Sequence, residues 1–247
     1  MLVHGRDPAR GEETLAELRA QGGGERATFY RADYASLDEV REMGERIRDE
    51  HDALHALVNN AGIGTTLPGD GKRMESRDGH ELRFQVNYLA GYLLTRILEP
   101  LLVGSAPARI VAVSSAGQAP IDFDDVMLER RYDGVQAYCQ SKLAQVMHTF
   151  DLAERHAGDG VTANCLHPAT YMPTKMVLAA RGSAVSTLEE GVEATLRLVA
   201  DPALDGVTGR YYDGQREARA HPQAYDADAR RRLRELSERL TAGQAAA

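Results

Sequence analysis

Tyr138 and Lys142 stand four residues apart in a stretch, Val135 to His156, that contains neither proline nor glycine. In a helix that spacing puts both side chains on one face, one turn apart. Ser115 closes the run Ile110-Val111-Ala112-Val113-Ser114-Ser115, which reads as a buried strand. A phenol, an ammonium and a hydroxyl brought together in this way can pass a proton to or from a substrate oxygen.

A Tyr-x-x-x-Lys pair is weak evidence alone, and the chain has a second one, Tyr171/Lys175. That pair encloses Pro173, which disfavours a helical Met172 and breaks the alignment. Two further features stand beside Tyr138. Asn59-Asn60-Ala61-Gly62 follows an apolar run; a turn is the bland reading, but small residues there also let a flat ligand approach the backbone. Asn87 lies within an apolar helical pattern (Phe84, Val86, Leu89), where asparagine is a poor helix former and a buried polar role is plausible.

Other signals fail. Gly69-Asp70-Gly71-Lys72 resembles the end of a phosphate loop, yet Thr66 and Arg73 break the pattern. The eight histidines form no His-Glu-x-x-His site, and no metal centre is expected. Asp122, Asp124 and Asp125 lack calcium-loop spacing and read as a solvated loop.

The elements that must position these residues alternate between strand and helix. Leu2-Val3-His4 reads as a strand, followed by a helix from Pro8 to Gln21 capped by Asp7 and stopped by Gly22-Gly23-Gly24. Ala27 to Arg31 is a second strand, ending at Asp33. Ser36 then caps a helix with Leu37, Val40, Met43 and Ile47 on one face. Ala53 to Val58 is a third strand, and a long helix from about Asp78 to Leu102 carries Asn87. Arg109 to Ser114, Val161 to Leu166 and a short Gly209 to Tyr212 complete the strands. Helices are expected at Leu188–Ala200 and Tyr225–Leu240, and Thr65–Arg73, Ala116–Arg131 and Met172–Ser186 read as loops. This alternation implies a parallel sheet with helices on both faces, in one domain over residues 1–240 with a fraying tail at 241–247.

The 247 residues carry a formal charge of -8 with a pI near 5.5, which favours neither nucleic acid nor an anionic membrane surface as partner. The longest apolar stretch, Leu89 to Val103, is broken by Arg96, Glu99 and Pro100, so no membrane span is expected. Charges fill the first twenty residues, against a signal peptide. Two cysteines, Cys139 and Cys165, suggest reduced thiols in a soluble, cytoplasmic protein.

Taken in order, Asn59-Asn60-Ala61-Gly62, Asn87, Ser115, Tyr138-x-x-x-Lys142 and Pro168 closely resemble the short-chain dehydrogenase/reductase family. Tyr-Cys-Gln-Ser-Lys and the Ile121-Asp122-Phe123-Asp124-Asp125 segment resemble its retinol-dehydrogenase-like branch. The resemblance implies a Rossmann-like, doubly wound parallel sheet and an oxidoreductase that interconverts a carbonyl and an alcohol by hydride transfer. It implies Tyr138 as general acid or base, with Lys142 favouring the phenolate and holding the nicotinamide ribose; a free tyrosine titrates near ~10 and needs such a cation. Ser115 would hold the substrate oxygen, and Asn87 would order a water linking Lys142 to solvent. Cofactor contacts would come from Arg6, Asp33, Tyr34, Asn60, Ala61, Gly62, Pro168 and Thr170. The branch handles NADP(H), with NAD(H) possible; Arg6 after the first strand can pair with a 2′-phosphate.

Two departures accompany the resemblance. Ala169 stands where the family has glycine. The chain also opens at what resembles the family's second strand, lacking the first strand, the Gly-rich loop that cradles pyrophosphate and the first helix. Loss of a mid-sheet strand would leave two rows of unpaired backbone groups, so the expectation is a truncated gene model or fragment that starts upstream of Met1. A non-catalytic protein of this fold with impaired cofactor binding is the alternative function. The family commonly dimerises through the helices that here carry Asn87 and Tyr138, so a homodimer is expected. The substrate is not legible.

Overall fold

The computed structural model describes residues 1–22, 24 and 26–243. It shows an α/β Rossmann-like fold in which the strands fall into two sheets. The first is a parallel pair, β1 (Leu2–Gly5) and β2 (Thr28–Arg31). The second has five strands in sequence order: β3 (Ala56–Asn59), β4 (Ala108–Val113), β5 (Val161–His167), β6 (Tyr211–Asp213) and β7 (Arg216–Ala218). β3 to β6 are parallel, and β7 closes the edge as an antiparallel hairpin after the turn at Gly214.

The expected single sheet is therefore interrupted. Among the described residues no strand pairs with β1 on its far side or with β3 on the side away from β4. Val58 on β3 is 40% exposed as a result, whereas residues of a parallel sheet are ordinarily covered.

Local sequence explains the helices. Asp7 caps α1 (Pro8–Ala20), accepting from the N–H groups of Ala9 and Arg10. Gly11 is required there: a Cβ would come within 2.6 Å of the Phe29 ring, which pins α1 to β2. Gly23 of the expected stop, and residues 244–247 of the expected tail, lie outside the described residues. Ser36 caps α2 (Leu37–Glu50), and Leu37, Val40, Met43 and Ile47 are all buried, mainly against α4.

The long helix expected from Asp78 starts at Leu82 and is not uniform. α3 (Leu82–Phe84) runs into a π-helical turn, Gln85–Leu89, and then into α4 (Ala90–Gly104). Residues 76–80 instead form a turn in which the Ser76 hydroxyl accepts from the Asp78 and His80 N–H groups. Ala53 to His55 precede β3 rather than extending it.

Helix α5 (Gly134–Arg155) is the spine, buried at every position from Gln140 to Ala153. One side lies on β4 and β5, another against the π turn and α3. A third is covered by α8 (Ala227–Thr241) through Ala229, Leu233 and the Arg234–Asp151 and Arg230–Glu154 ion pairs. α8 thus covers part of α5, one of the two helices through which the homodimer is expected. α6 (Lys175–Arg181) and α7 (Leu188–Ala200) follow β5; α6 falls where a loop was expected. No helix among the described residues is long and apolar enough to cross a membrane.

Candidate active site

The C-terminal ends of β3, β4 and β5 bring Gly62, Ser115 and Pro168 to one edge of the larger sheet, where ligands bind in open α/β folds. α5 enters this edge with Tyr138 and Lys142. The helical spacing holds: Lys142 Nζ lies 5.7 Å from the Tyr138 ring centroid. Ser115 is close enough for its hydroxyl to favour the Tyr138 phenolate, partly offsetting the burial that pushes the phenol up. Its Oγ accepts from the Gly117 N–H at 3.1 Å, leaving its own proton free for an outside acceptor. The Ser115 carbonyl accepts from Gln118 Nε2 and the Tyr211 hydroxyl, which fixes the loop after β4.

Lys142 is buried and donates to the Val113 carbonyl and to Gln145 Oε1, each at 3.0 Å. Burial lowers its pKa to about 8. At pH 7 it therefore remains an ammonium beside Tyr138, which favours the phenolate.

Asn87 sits in the π turn, a bulge that aims its side chain across the helix row. Oδ1 accepts from the Ile63 N–H at 2.7 Å, while Nδ2 donates to the Ile63 carbonyl and to Ser141 Oγ. Ser141 Oγ in turn donates to the Tyr138 carbonyl. Asn87 thus ties the Gly62 loop to the Tyr138 helix, a direct role that the expected water-ordering role did not include. Gly62 is needed at this junction: a Cβ would lie 3.2 Å from Asn87 Oδ1 and 3.6 Å from Lys142 Nζ.

A second clamp supports the loop. Arg83, fully buried, donates to the carbonyls of Gly64, Thr65 and Pro68 and to the Tyr132 hydroxyl. Glu81, also buried, accepts from Tyr132 and from the Phe84 N–H. Sequence reading passed over Arg83, Gln145 and Ser141, since charged or amide residues on a helix ordinarily read as a solvated face.

The expected cofactor contacts divide. Ala61, Gly62 and Pro168 lie at the same edge as Tyr138. Asn60 is exposed there, and Thr170 Oγ1 is 3.1 Å from His167 Nε2. Arg6 follows β1, exposed and in no ion pair among the described residues, whereas the neighbouring Asp7 carboxylate is engaged as a cap. Asp33 accepts from the Ala35 N–H. Tyr34 does not fit: its ring is buried and stacked on His4 at 4.3 Å, so its side chain is core. The second Tyr-x-x-x-Lys pair is broken as expected. Tyr171 has φ 51° and precedes α6, and its ring stacks on Arg181 rather than aligning with Lys175. It is near enough to oppose ionisation of Tyr138.

Two open clefts reach the end of β6, one of about 410 Å³ beside Pro168, Ala169 and Ser186, the other of about 350 Å³ beside Ala116, Gln118 and His221. Among the described residues no cluster of His, Cys, Asp or Glu is placed to hold a metal.

Parallel strands whose C-terminal ends gather a tyrosine, a lysine and a serine define an oxidoreductase of the Rossmann class. Comparison with known proteins agrees: residues 1–183 match the short chain dehydrogenase family model, and the chain belongs to that family. It is 35% identical to human retinol dehydrogenase 14 over 94% of this chain and 76% of that protein. It is 36% identical to mouse retinol dehydrogenase 13, covering 95% and 74% respectively. Among solved structures, an uncharacterized Mycobacterium paratuberculosis protein superposes with a TM-score of 0.75 at 26% identity, covering 97% of this chain and 83% of that one. A Beutenbergia cavernae protein described as an NAD(P)-dependent gluconate 5-dehydrogenase, with NADP bound at low occupancy, gives 0.68 at 27% identity, covering 86% and 83%.

Proposed function

We propose that this member of the family is an NADP(H)-dependent oxidoreductase that interconverts a carbonyl and an alcohol, with Tyr138 as proton donor and acceptor. The observation that supports it most is the placement of Lys142 over the Tyr138 ring with Ser115 beside the phenol. The residues on the nicotinamide side fit a dinucleotide. The bare backbone at Gly62 would let a flat group approach, and Lys142 would hold the nicotinamide ribose. Bound NADP(H) would supply or accept the hydride.

In reduction, Ser115 donates a hydrogen bond to the substrate carbonyl and stabilises charge as it develops on oxygen. Tyr138 then delivers its proton to that oxygen, and the resulting phenolate is stabilised by Lys142. In oxidation Tyr138 withdraws the alcohol proton. Arg6, exposed after β1, supports a preference for the 2′-phosphate. The substrate class is a small-molecule carbonyl or alcohol; relatives named retinol dehydrogenase favour an apolar one.

The second reading is a non-catalytic protein of the same fold. It is favoured by the interruption between β1 and β3, which falls where the family resemblance puts the pyrophosphate. Calorimetric titration with NADPH and NADH separates the two, since the chain has no tryptophan to report binding. Binding of NADPH, with Tyr138→Phe keeping that binding while losing at least ~10²-fold in turnover, supports the enzyme. Binding of neither nucleotide supports the second reading, and retained turnover in Tyr138→Phe removes Tyr138 from its role.

A further inference from the structure

Among the described residues the ammonium of Lys142 has no carboxylate partner. The groups that face it come from every element packed around it. They are Gly62 after β3, Asn87 in the π turn, Val113 on β4, Tyr138 and Gln145 on α5, and His167 at the end of β5. Only His167 and Tyr138 among these titrate. A protonated His167 repels Lys142, and the nearest acid in that direction, Asp213 on β6, acts on His167. A buried cation without a counter-ion must be held by oriented dipoles. Two are present, and one, the Val113 carbonyl, belongs to the strand. The other is a side chain chosen by the sequence.

We propose that Gln145 is a positioning residue whose amide oxygen keeps Lys142 protonated and in place, and so sets the alkaline limit of proton transfer by Tyr138. The inference rests on reading Tyr138 and Lys142 as the proton-transfer pair. Gln145 is one turn beyond Lys142 on the same face, buried, with its oxygen 3.0 Å from Nζ. The choice of an amide has a physical reason. A carboxylate at this position would hold the ammonium more tightly, but would also cancel the positive field that lowers the phenol's pKa. An apolar side chain would leave the field intact but let the lysine lose its proton sooner. A neutral dipole anchors the charge without neutralising it.

The test uses the scarcity of lysine, since the chain contains three, Lys72, Lys142 and Lys175. With Lys72→Arg and Lys175→Arg, both exposed, Lys142 is the single lysine resonance in a carbon-13 NMR titration of the whole chain without nucleotide. Gln145→Met should move its titration down by about half a unit to one unit, and Gln145→Asn, a shorter amide, should move it the same way. Gln145→Glu should move it up. An unchanged titration in Gln145→Met and Gln145→Asn, with both variants folded by circular dichroism, overturns the proposal without touching the assignment of Tyr138. In turnover, the alkaline limb of kcat/KM for NADPH-dependent carbonyl reduction should fall with the lysine in Gln145→Met. Gln145→Glu should lose rate at neutral pH although its lysine is more firmly protonated. A residue that merely packs would not split the two variants in this way. A limb that stays fixed while the lysine titration moves overturns the kinetic half of the proposal.

Discussion

The hydroxyls of Tyr88 and Ser237, 149 residues apart in sequence, lie 2.7 Å from each other in the interior. They join α8 to the turn that carries Asn87, and Leu233 is buried one turn earlier on the same helix.

A single chain therefore already covers one face of α5. Light scattering decides the state in solution: a mass near 27.0 kDa marks a monomer, and twice that value the expected homodimer. Leu233→Ala should cost about 2–5 kcal/mol in denaturant unfolding, as other buried leucines do.

Arg83 supports the wall beside Tyr138 through three carbonyls and is paired with a buried Glu81. Arg83→Met would strand that carboxylate. The expected loss is about 3–5 kcal/mol, most of it regained in Arg83→Met combined with Glu81→Gln. An additive double variant in urea titrations would show that the two residues act independently.

His148 is buried between Tyr88 and Tyr92, with Nε2 unpartnered, and burial lowers its pKa to about 3. The unfolded chain binds its proton near ~6.5 and the folded one only near 3. The unfolded state thus holds more protons between these values, and stability falls as pH drops through that window, by at most ~1.4 kcal/mol per unit from this group. His148→Phe should flatten the slope of unfolding free energy between pH 6.5 and 4. An equal slope in both proteins would mean that another group carries it.

Arg6 is the test of nucleotide preference. Arg6→Ala should weaken NADPH about tenfold or more, the worth of a lost charge-assisted contact, and leave NADH unchanged. Equal effects on both nucleotides would remove the 2′-phosphate from its role.

Much of this was legible because local rules and global fold agreed. The caps Asp7 and Ser36, the buried stripe of α2 and the Tyr138–Lys142 spacing depend on near neighbours, and all stand where periodicity puts them. Other features depend on tertiary contacts. α6 has no buried residue to create a pattern, and β7 is three residues long. Tyr34 followed the second strand as a cofactor contact would, yet partnership with His4, 30 residues earlier, turned it into the core. Arg83 was invisible because three of its partners are carbonyls, which leave no trace in sequence, and a fourth, Tyr132, lies 49 residues away.

The interruption between β1 and β3 has a dynamic counterpart. A two-stranded ribbon is marginal alone, and β1–β2 is hydrogen-bonded to nothing in the larger sheet, so the two sheets need not open together. Amide hydrogen exchange should resolve two cooperative units. Val3, His4 and Phe29 should exchange through a low-energy opening, while Ile110, Val111 and Cys165 exchange only with global unfolding. Anything that bridges the two sheets would merge these units, and protection at Val3 would then report the bridge directly.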